Sequence, residues 1–214
     1  MYLTKLILNP HNRQVQREVG NPYQLHRTLM QGFPVTLPDE ERVLYRLEAQ
    51  SNTGELALLV QSITQPDWSP LEKAGQGHYL LRSPEPPKQF QPDLPVGAHL
   101  YFRLRANPTL KKRREDDKNS NRVPLVHEEE QQEWLQRKGE LHGFHVIHSQ
   151  ISGDDKLTDW IRRDEESHRL QIYTVQFDGL LQVFDGVLFA QALATGIGPA
   201  RAFGCGLLSI APAR

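Results

Sequence analysis

Between residues 83 and 95 the chain carries five prolines, Pro84, Pro86, Pro87, Pro92 and Pro95. Each fixes φ and lacks a backbone donor, so neither a helix nor an interior strand can run through such a stretch, which reads as a semi-rigid linker. The chain is therefore expected to fold as two halves: a domain at 1–84, a linker at 85–96 and a second domain at 97–214. A length of 214 residues with 38% hydrophobic content suits two small cores better than one large one.

In the first half, Tyr2 to Leu8 reads as a strand and Asn9 to Gly20 as irregular chain. Asn21 can cap a helix and Pro22 suits the first helical position, so a helix is expected from Pro22 to near Gly32. Arg42 to Glu48 and Glu55 to Gln61 are strand-like runs flanking the turn-rich Ser51-Asn52-Thr53-Gly54. Ser69-Pro70 starts a short second helix, and His78 to Arg82 is expected as the fourth strand. This order, β-α-β-β-α-β, is the ferredoxin-like arrangement.

In the second half His99 to Arg105 alternates, with Leu100, Phe102 and Leu104 facing a core and Tyr101, Arg103 and Arg105 facing away. Residues 107–121, with the basic run Lys111, Lys112, Arg113 and Arg114, are too polar to pack and read as a mobile loop. A helix at Glu128 to Lys138 and a strand at Phe144 to Ile151 follow. A polar connector at 152–167, containing Arg162 and Arg163, leads to a strand at Leu170 to Phe177. Asp178-Gly179 reads as a hairpin turn, with Leu180 to Phe184 pairing back. Asp185 caps a helix at Val187 to Thr195, and Gly204 to Ile210 closes the sheet. The expected fold is thus α+β, two tandem ferredoxin-like (RRM-like) βαββαβ domains, the second with one added hairpin.

With 25 Lys and Arg against 26 Asp and Glu, no global basicity announces a nucleic acid, and an RNA site has to come from local segregation of charge. The lone Cys205 excludes an internal disulfide framework and a cysteine zinc cluster, and fits a reducing cytoplasmic compartment. The N-terminus has no signal-peptide layout, and no apolar run approaches the roughly 18 residues of a membrane span, so no membrane partner is expected.

Chemistry concentrates on the first long helix. Leu25 and Leu29 share its core stripe, while Tyr23, His26, Arg27 and Met30 fall within a neighbouring wedge. A phenol, an imidazole and a guanidinium on one patch can move protons and meet phosphate; taken alone they also fit ordinary boundary residues. A second candidate is the glycine-rich segment Gly196 to Gly206. A dinucleotide or P-loop fingerprint puts its glycines between a strand and the following helix, and here the order is reversed. What remains is a backbone that can approach a phosphate or another chain, with Arg201 supplying charge, or a turn needed only for packing. His142, His145 and His148 would alternate faces on a strand, so no metal site is expected, and no cofactor.

Several segments together resemble the CasE family of CRISPR-repeat endoribonucleases, the RNA-processing subunits of type I-E Cascade. They are Tyr2 to Leu6, Tyr23-Gln24-Leu25-His26, Leu100 to Pro108, Arg122-Val123-Pro124-Leu125, Trp134 to Lys138, Gly196 to Ala200 and Gly204 to Ser209. The resemblance runs along nearly the whole chain. It implies a nuclease that binds the stem-loop of a CRISPR repeat, cuts at the 3′ base of the stem and stays bound to the mature crRNA among other Cascade subunits, meeting DNA only through that complex. It places the catalytic histidine at His26 and its tyrosine partner at Tyr23, with 2′-hydroxyl attack and no metal.

An imidazole titrating near 6.5 can accept or donate a proton at neutral pH, whereas a phenol near 10 mostly donates. Which of the two faces the 2′-oxygen stays open at this stage, as does the cation for the transition state. Arg27 is a candidate for phosphate charge, but no lysine follows in the same helix. RNA-binding candidates are Arg27, Arg103, Arg105, Lys111, Lys112, Arg113, Arg114, Arg162 and Arg163, with Gly196, Gly198 and Arg201 lining RNA backbone. The competing reading is a non-catalytic ferredoxin-like subunit that holds RNA without cutting it, and the Tyr23/His26 pair, which a pure binder does not need, separates the two.

Overall fold

The computed structural model describes residues 1–50, 53–73, 77–112, 121–163 and 166–213. It divides into two compact units. The first comprises Met1–Asp93, Ala194–Gly196 and Arg201–Leu207; the second comprises Leu94–Leu193, Ile197–Ala200 and the chain from Leu208 onward. The glycine-rich segment is therefore shared, its latter part belonging with the first unit.

The first unit is an antiparallel four-stranded sheet in the order β2-β3-β1-β4, with β1 at Tyr2–Leu8, β2 at Leu44–Ala49, β3 at Leu56–Ser62 and β4 at Lys88–Gln89. Helices α1 (Arg13–Val19), α2 (Pro22–Leu29) and α3 (Ser69–Lys73) complete it. Leu6, Leu8, Leu58, Val60 and Tyr45 from the strands meet Val15, Leu25, Leu29 and Leu71 from the helices in one core. Two expectations are corrected. Asn9–Gly20 is not irregular, because Asn12 accepts hydrogen bonds from the Gln14 and Val15 N–H groups and so caps α1. The fourth strand is not His78–Arg82, which makes only an isolated bridge from Leu80 to Leu8. The ladder forms instead at Lys88–Gln89, opposite Leu3 and Tyr2, because Pro84, Pro86 and Pro87 have no N–H to donate and pairing resumes only beyond them. Part of the expected linker is thus a sheet edge.

The second unit repeats the order as β10-β5-β9-β8, with β5 at His99–Ala106, β8 at Phe144–Arg163, β9 at Glu166–Val183 and β10 at Leu208–Pro212. Its helices are α4 (Glu128–Leu141) and α5 (Gly186–Thr195). Leu100, Phe102 and Leu104 are buried as their alternation requires. Trp134 stacks on Phe177, and Phe144 meets Phe189 edge-on. Asp185 caps α5 by accepting from the Val187 and Leu188 N–H groups.

Three expectations fail here. Asp178-Gly179 is no turn; it lies within β9, paired to Arg103 and Phe102. A Cβ at Gly179 would collide with the His148 carbonyl and come within 2.9 Å of the Phe102 ring, so glycine is needed for close strand packing rather than for a bend. The polar connector at 152–163 extends β8 along β9 instead of leaving the sheet. The expected mobile loop is corrected only at its ends, which pair with each other, β6 (Thr109–Lys112) against β7 (Asn121–Pro124), while residues 113–120 lie outside the described residues. Among the described residues no helix is long and apolar enough to cross a membrane.

Candidate active site

Helix α2 starts as its sequence dictates: Asn21 accepts from the Gln24 N–H, and Pro22 occupies the first turn. It ends at Leu29 and tightens into a 3₁₀ turn over Met30–Gly32. Pro22, Leu25, Thr28 and Leu29 are buried, Tyr23 and His26 are half-buried and Arg27 is exposed. The wedge thus sits at the edge of the core.

The His26 imidazole lies nearly parallel to the Tyr45 ring, with centroids 6.1 Å apart and planes 13° apart. Its Nδ1 is buried with no hydrogen-bond partner among the described residues, which leaves Nε2 as the nitrogen that can meet a substrate. Burial holds its pKa below the ordinary histidine value, because protonation would place an unsatisfied charge in a poorly hydrated position. Tyr23 stacks on Phe203, with centroids 6.5 Å apart.

Phe203 belongs to a 3₁₀ turn at Arg201–Phe203, so the structure brings together two features that are far apart in sequence, the α2 wedge and the glycine-rich segment. The Tyr45 hydroxyl lies 2.8 Å from the Pro22 carbonyl and 3.0 Å from the Ala202 carbonyl. The buried Arg46 donates to the Leu207 carbonyl at 3.1 Å. Since β2 is the edge strand of its sheet, the returning segment also covers an otherwise open edge.

Gly196 adopts φ +78°, and a Cβ there would stand 2.8 Å from Leu44, so backbone and space both require glycine. Ala200 holds φ +64°, a strained value for a residue with a Cβ. Arg201 donates to the Gly196 carbonyl at 3.1 Å, and its Nε is buried without a partner among the described residues. Burial, then the like charge of Arg42, holds the Arg201 pKa below its ordinary value. Gly198 belongs to the second unit, where it approaches Trp134.

The basic candidates of the second unit separate. Arg103 makes a 2.5 Å ion pair with Asp178, which also accepts from Ser152 at 2.6 Å. Burial opposes the Asp178 charge, but the bonds from Arg103 and Ser152 outweigh it and hold the carboxyl below its usual range. Arg105 bonds Thr174 Oγ1 at 3.1 Å. Lys111 on β6 stands opposite Arg122 on β7, both exposed. Arg122, part of the family resemblance but not among the RNA-binding candidates read from sequence, stands beside them here because its place just beyond the polar run pairs it with Lys111. Arg113 and Arg114 lie outside the described residues, and so do the side chains of Lys112, Arg162 and Arg163.

Among the histidines read as a non-metal set, His145 stacks on Phe184 and contacts Glu140, while His142 caps α4. Among the described residues no three His, Cys, Asp or Glu side chains converge as a ligand set. Cys205 is a free, buried thiol.

The family model described as CRISPR associated protein matches residues 1–212. The chain belongs to the CasE family of CRISPR-associated proteins. The CRISPR-associated endoribonuclease Cse3 of Thermus thermophilus is 38% identical over 221 residues, covering 99% of this chain and 100% of that one. The CRISPR system Cascade subunit CasE of Escherichia coli is 35% identical, again over 99% of this chain and 100% of that one. A solved structure of the CRISPR endoribonuclease Cse3 bound to 19 nt RNA matches with a TM-score of 0.85 at 38% identity, over 99% of this chain and 100% of that one. For a CasE-family chain, an imidazole at the edge of a core, backed by an aromatic ring and flanked by a phenol, is an arrangement suited to proton transfer.

Proposed function

We propose that this chain is an endoribonuclease of CRISPR precursor RNA. It recognises the repeat stem-loop, cuts at the 3′ base of the stem and stays on the mature crRNA as a subunit of a cytoplasmic Cascade assembly, meeting DNA only through that assembly. The observation that carries this reading is the His26 imidazole held against Tyr45, one helical turn from Tyr23, in a chain matching a CRISPR-associated endoribonuclease over 99% of its length.

The chemistry needs no metal. A base takes the proton of the 2′-hydroxyl, O2′ attacks the adjacent phosphorus, the P–O5′ bond breaks, and the leaving 5′-oxygen takes a proton. The products are a 2′,3′-cyclic phosphate and a 5′-hydroxyl. Burial keeps His26 mostly in its neutral, proton-accepting form at neutral pH, which favours it as the base, with Tyr23 orienting the reacting groups or donating to O5′. Arg201, beside α2 with a buried unpartnered Nε, supplies charge for the phosphate, with Arg27 in support. For binding, A-form stems are recognised through shape, phosphates and 2′-hydroxyls. The β6–β7 pair with Lys111 and Arg122 offers such contacts, as do Lys112, Arg113, Arg114, Arg162 and Arg163; Arg103 and Arg105 contribute less, being engaged with Asp178 and Thr174. Gly196 and Gly198 belong to the segment that would line RNA backbone, but the space their missing side chains leave is taken up by Leu44 and Trp134.

The test is cleavage of repeat RNA in EDTA by wild type and His26→Ala, with substrate carrying either the 2′-hydroxyl or a 2′-deoxy at the cut. Cleavage in EDTA that is lost with either change is expected. Tight binding without cutting would establish a binding subunit instead, and cutting that survives His26→Ala would remove His26 from the active site.

A further inference from the structure

Tyr45 is buried, on β2, and the proposed chemistry assigns it no proton. Helix α2 and the returning segment at 202–204 nevertheless both converge on this one side chain. Its ring backs the His26 imidazole. Its hydroxyl lies between two carbonyls, Pro22 at 2.8 Å and Ala202 at 3.0 Å, sharing a single proton between them. The Pro22 carbonyl is also the acceptor of the His26 main-chain N–H in the α-helical ladder of α2. Tyr45 thus meets His26 twice, through the ring against the imidazole and through the carbonyl that anchors its backbone. Gly204 also packs against the same ring, since a Cβ there would stand 3.2 Å from Tyr45 Cε2.

We propose that Tyr45 is a positioning residue for the cleavage reaction: it fixes the orientation of His26 and ties the 3₁₀ turn carrying Arg201 to the start of α2. The inference rests on the reading of His26 as a catalytic group. A phenyl ring would fill the same core space and keep its place against the imidazole, but it would leave the Pro22 and Ala202 carbonyls without the hydroxyl, so that the start of α2, and His26 with it, is no longer tied to the turn. A displacement of about 1 Å at a reacting group is enough to slow chemistry markedly without altering ground-state binding.

The test uses Tyr45→Phe, which keeps the ring and removes the hydroxyl. Single-turnover cleavage at saturating protein is expected to fall roughly tenfold or more, while the Kd for 2′-deoxy substrate changes by less than about threefold. In the RNA-free protein, ring-to-ring NOEs between His26 and residue 45 should give one ordered set in wild type and an averaged, weaker set in the variant. That spectrum requires no cleavage, so it judges Tyr45 even if His26→Ala should prove active and the catalytic reading fall. If Tyr45→Phe does not fold, Tyr45→Trp, which keeps an aromatic ring beside His26 and lacks the hydroxyl, takes its place with the same expected split between rate and affinity. Unchanged cleavage with an unchanged NOE pattern would overturn the proposal, as would losses of rate and affinity in equal proportion.

Discussion

Lys111 and Arg122 stand directly opposite each other on the paired strands β6 and β7, two exposed cations in one cross-strand pair. Like charges in that position destabilise a ribbon by a few tenths of a kcal/mol, so the arrangement makes physical sense where an anion lies over both. Replacing either by glutamine should therefore leave thermal stability unchanged or slightly improved while weakening RNA binding. The salt dependence separates the two effects: each lost phosphate contact should lower the slope of log K against log salt by roughly one. An unchanged slope in Arg122→Gln would remove this pair from the RNA interface.

The burial of His26 sets a pH dependence with a definite sign. Its folded pKa lies below the unfolded value near 6.5, so its contribution to stability is complete above about pH 6.5 and is lost as pH falls through the folded pKa. Cleavage with neutral His26 as base follows the same direction, rising through that depressed pKa and already level at neutral pH. A pH–rate profile measured with saturating protein should have its acidic limb below 6.5. A limb centred above 6.5 would assign the proton-accepting step to another group.

The features legible in sequence were those with local causes. Asn21 and Pro22 set the start of α2, Asp185 capped α5, and the alternation of His99 to Arg105 gave the inner and outer faces of β5. Features hidden from the sequence depended on distant partners. Gly179 looks like half of a turn until Phe102 and His148 occupy the space where its side chain would be. Lys88–Gln89 becomes a strand only because Leu3 and Tyr2 lie alongside. Tyr45 reads as one strand residue among several, and only the return of the chain at Ala202 and the helix start at Pro22 give its hydroxyl a purpose. Pattern reasoning finds what neighbours in sequence enforce, and a site assembled from residues 22, 45 and 202 has no such pattern.

Helix α2 has a second support, built from residues of α1 and of the chain near Tyr79 that no local sequence pattern links. Glu18, buried at the end of α1, accepts from Thr28 of α2 at 2.7 Å, from Tyr79 at 2.6 Å and from Gln14 at 2.8 Å. Burial and the neighbouring Glu18 carboxylate push the Tyr79 phenol far above its ordinary pKa, so Tyr79 remains a donor throughout the accessible pH range. Glu18→Ala leaves two buried hydroxyls without their acceptor, at roughly 1–3 kcal/mol each, and should destabilise the protein by about 2–6 kcal/mol. Because Thr28 lies two residues beyond His26, the loss should also appear locally, as faster amide exchange along α2 than in β5 of the second unit. Urea unfolding gives the first quantity and native-state hydrogen exchange the second. If exchange accelerates equally in both places, Glu18 supports global stability alone; acceleration confined to α2 identifies it as a tether of the helix that carries His26.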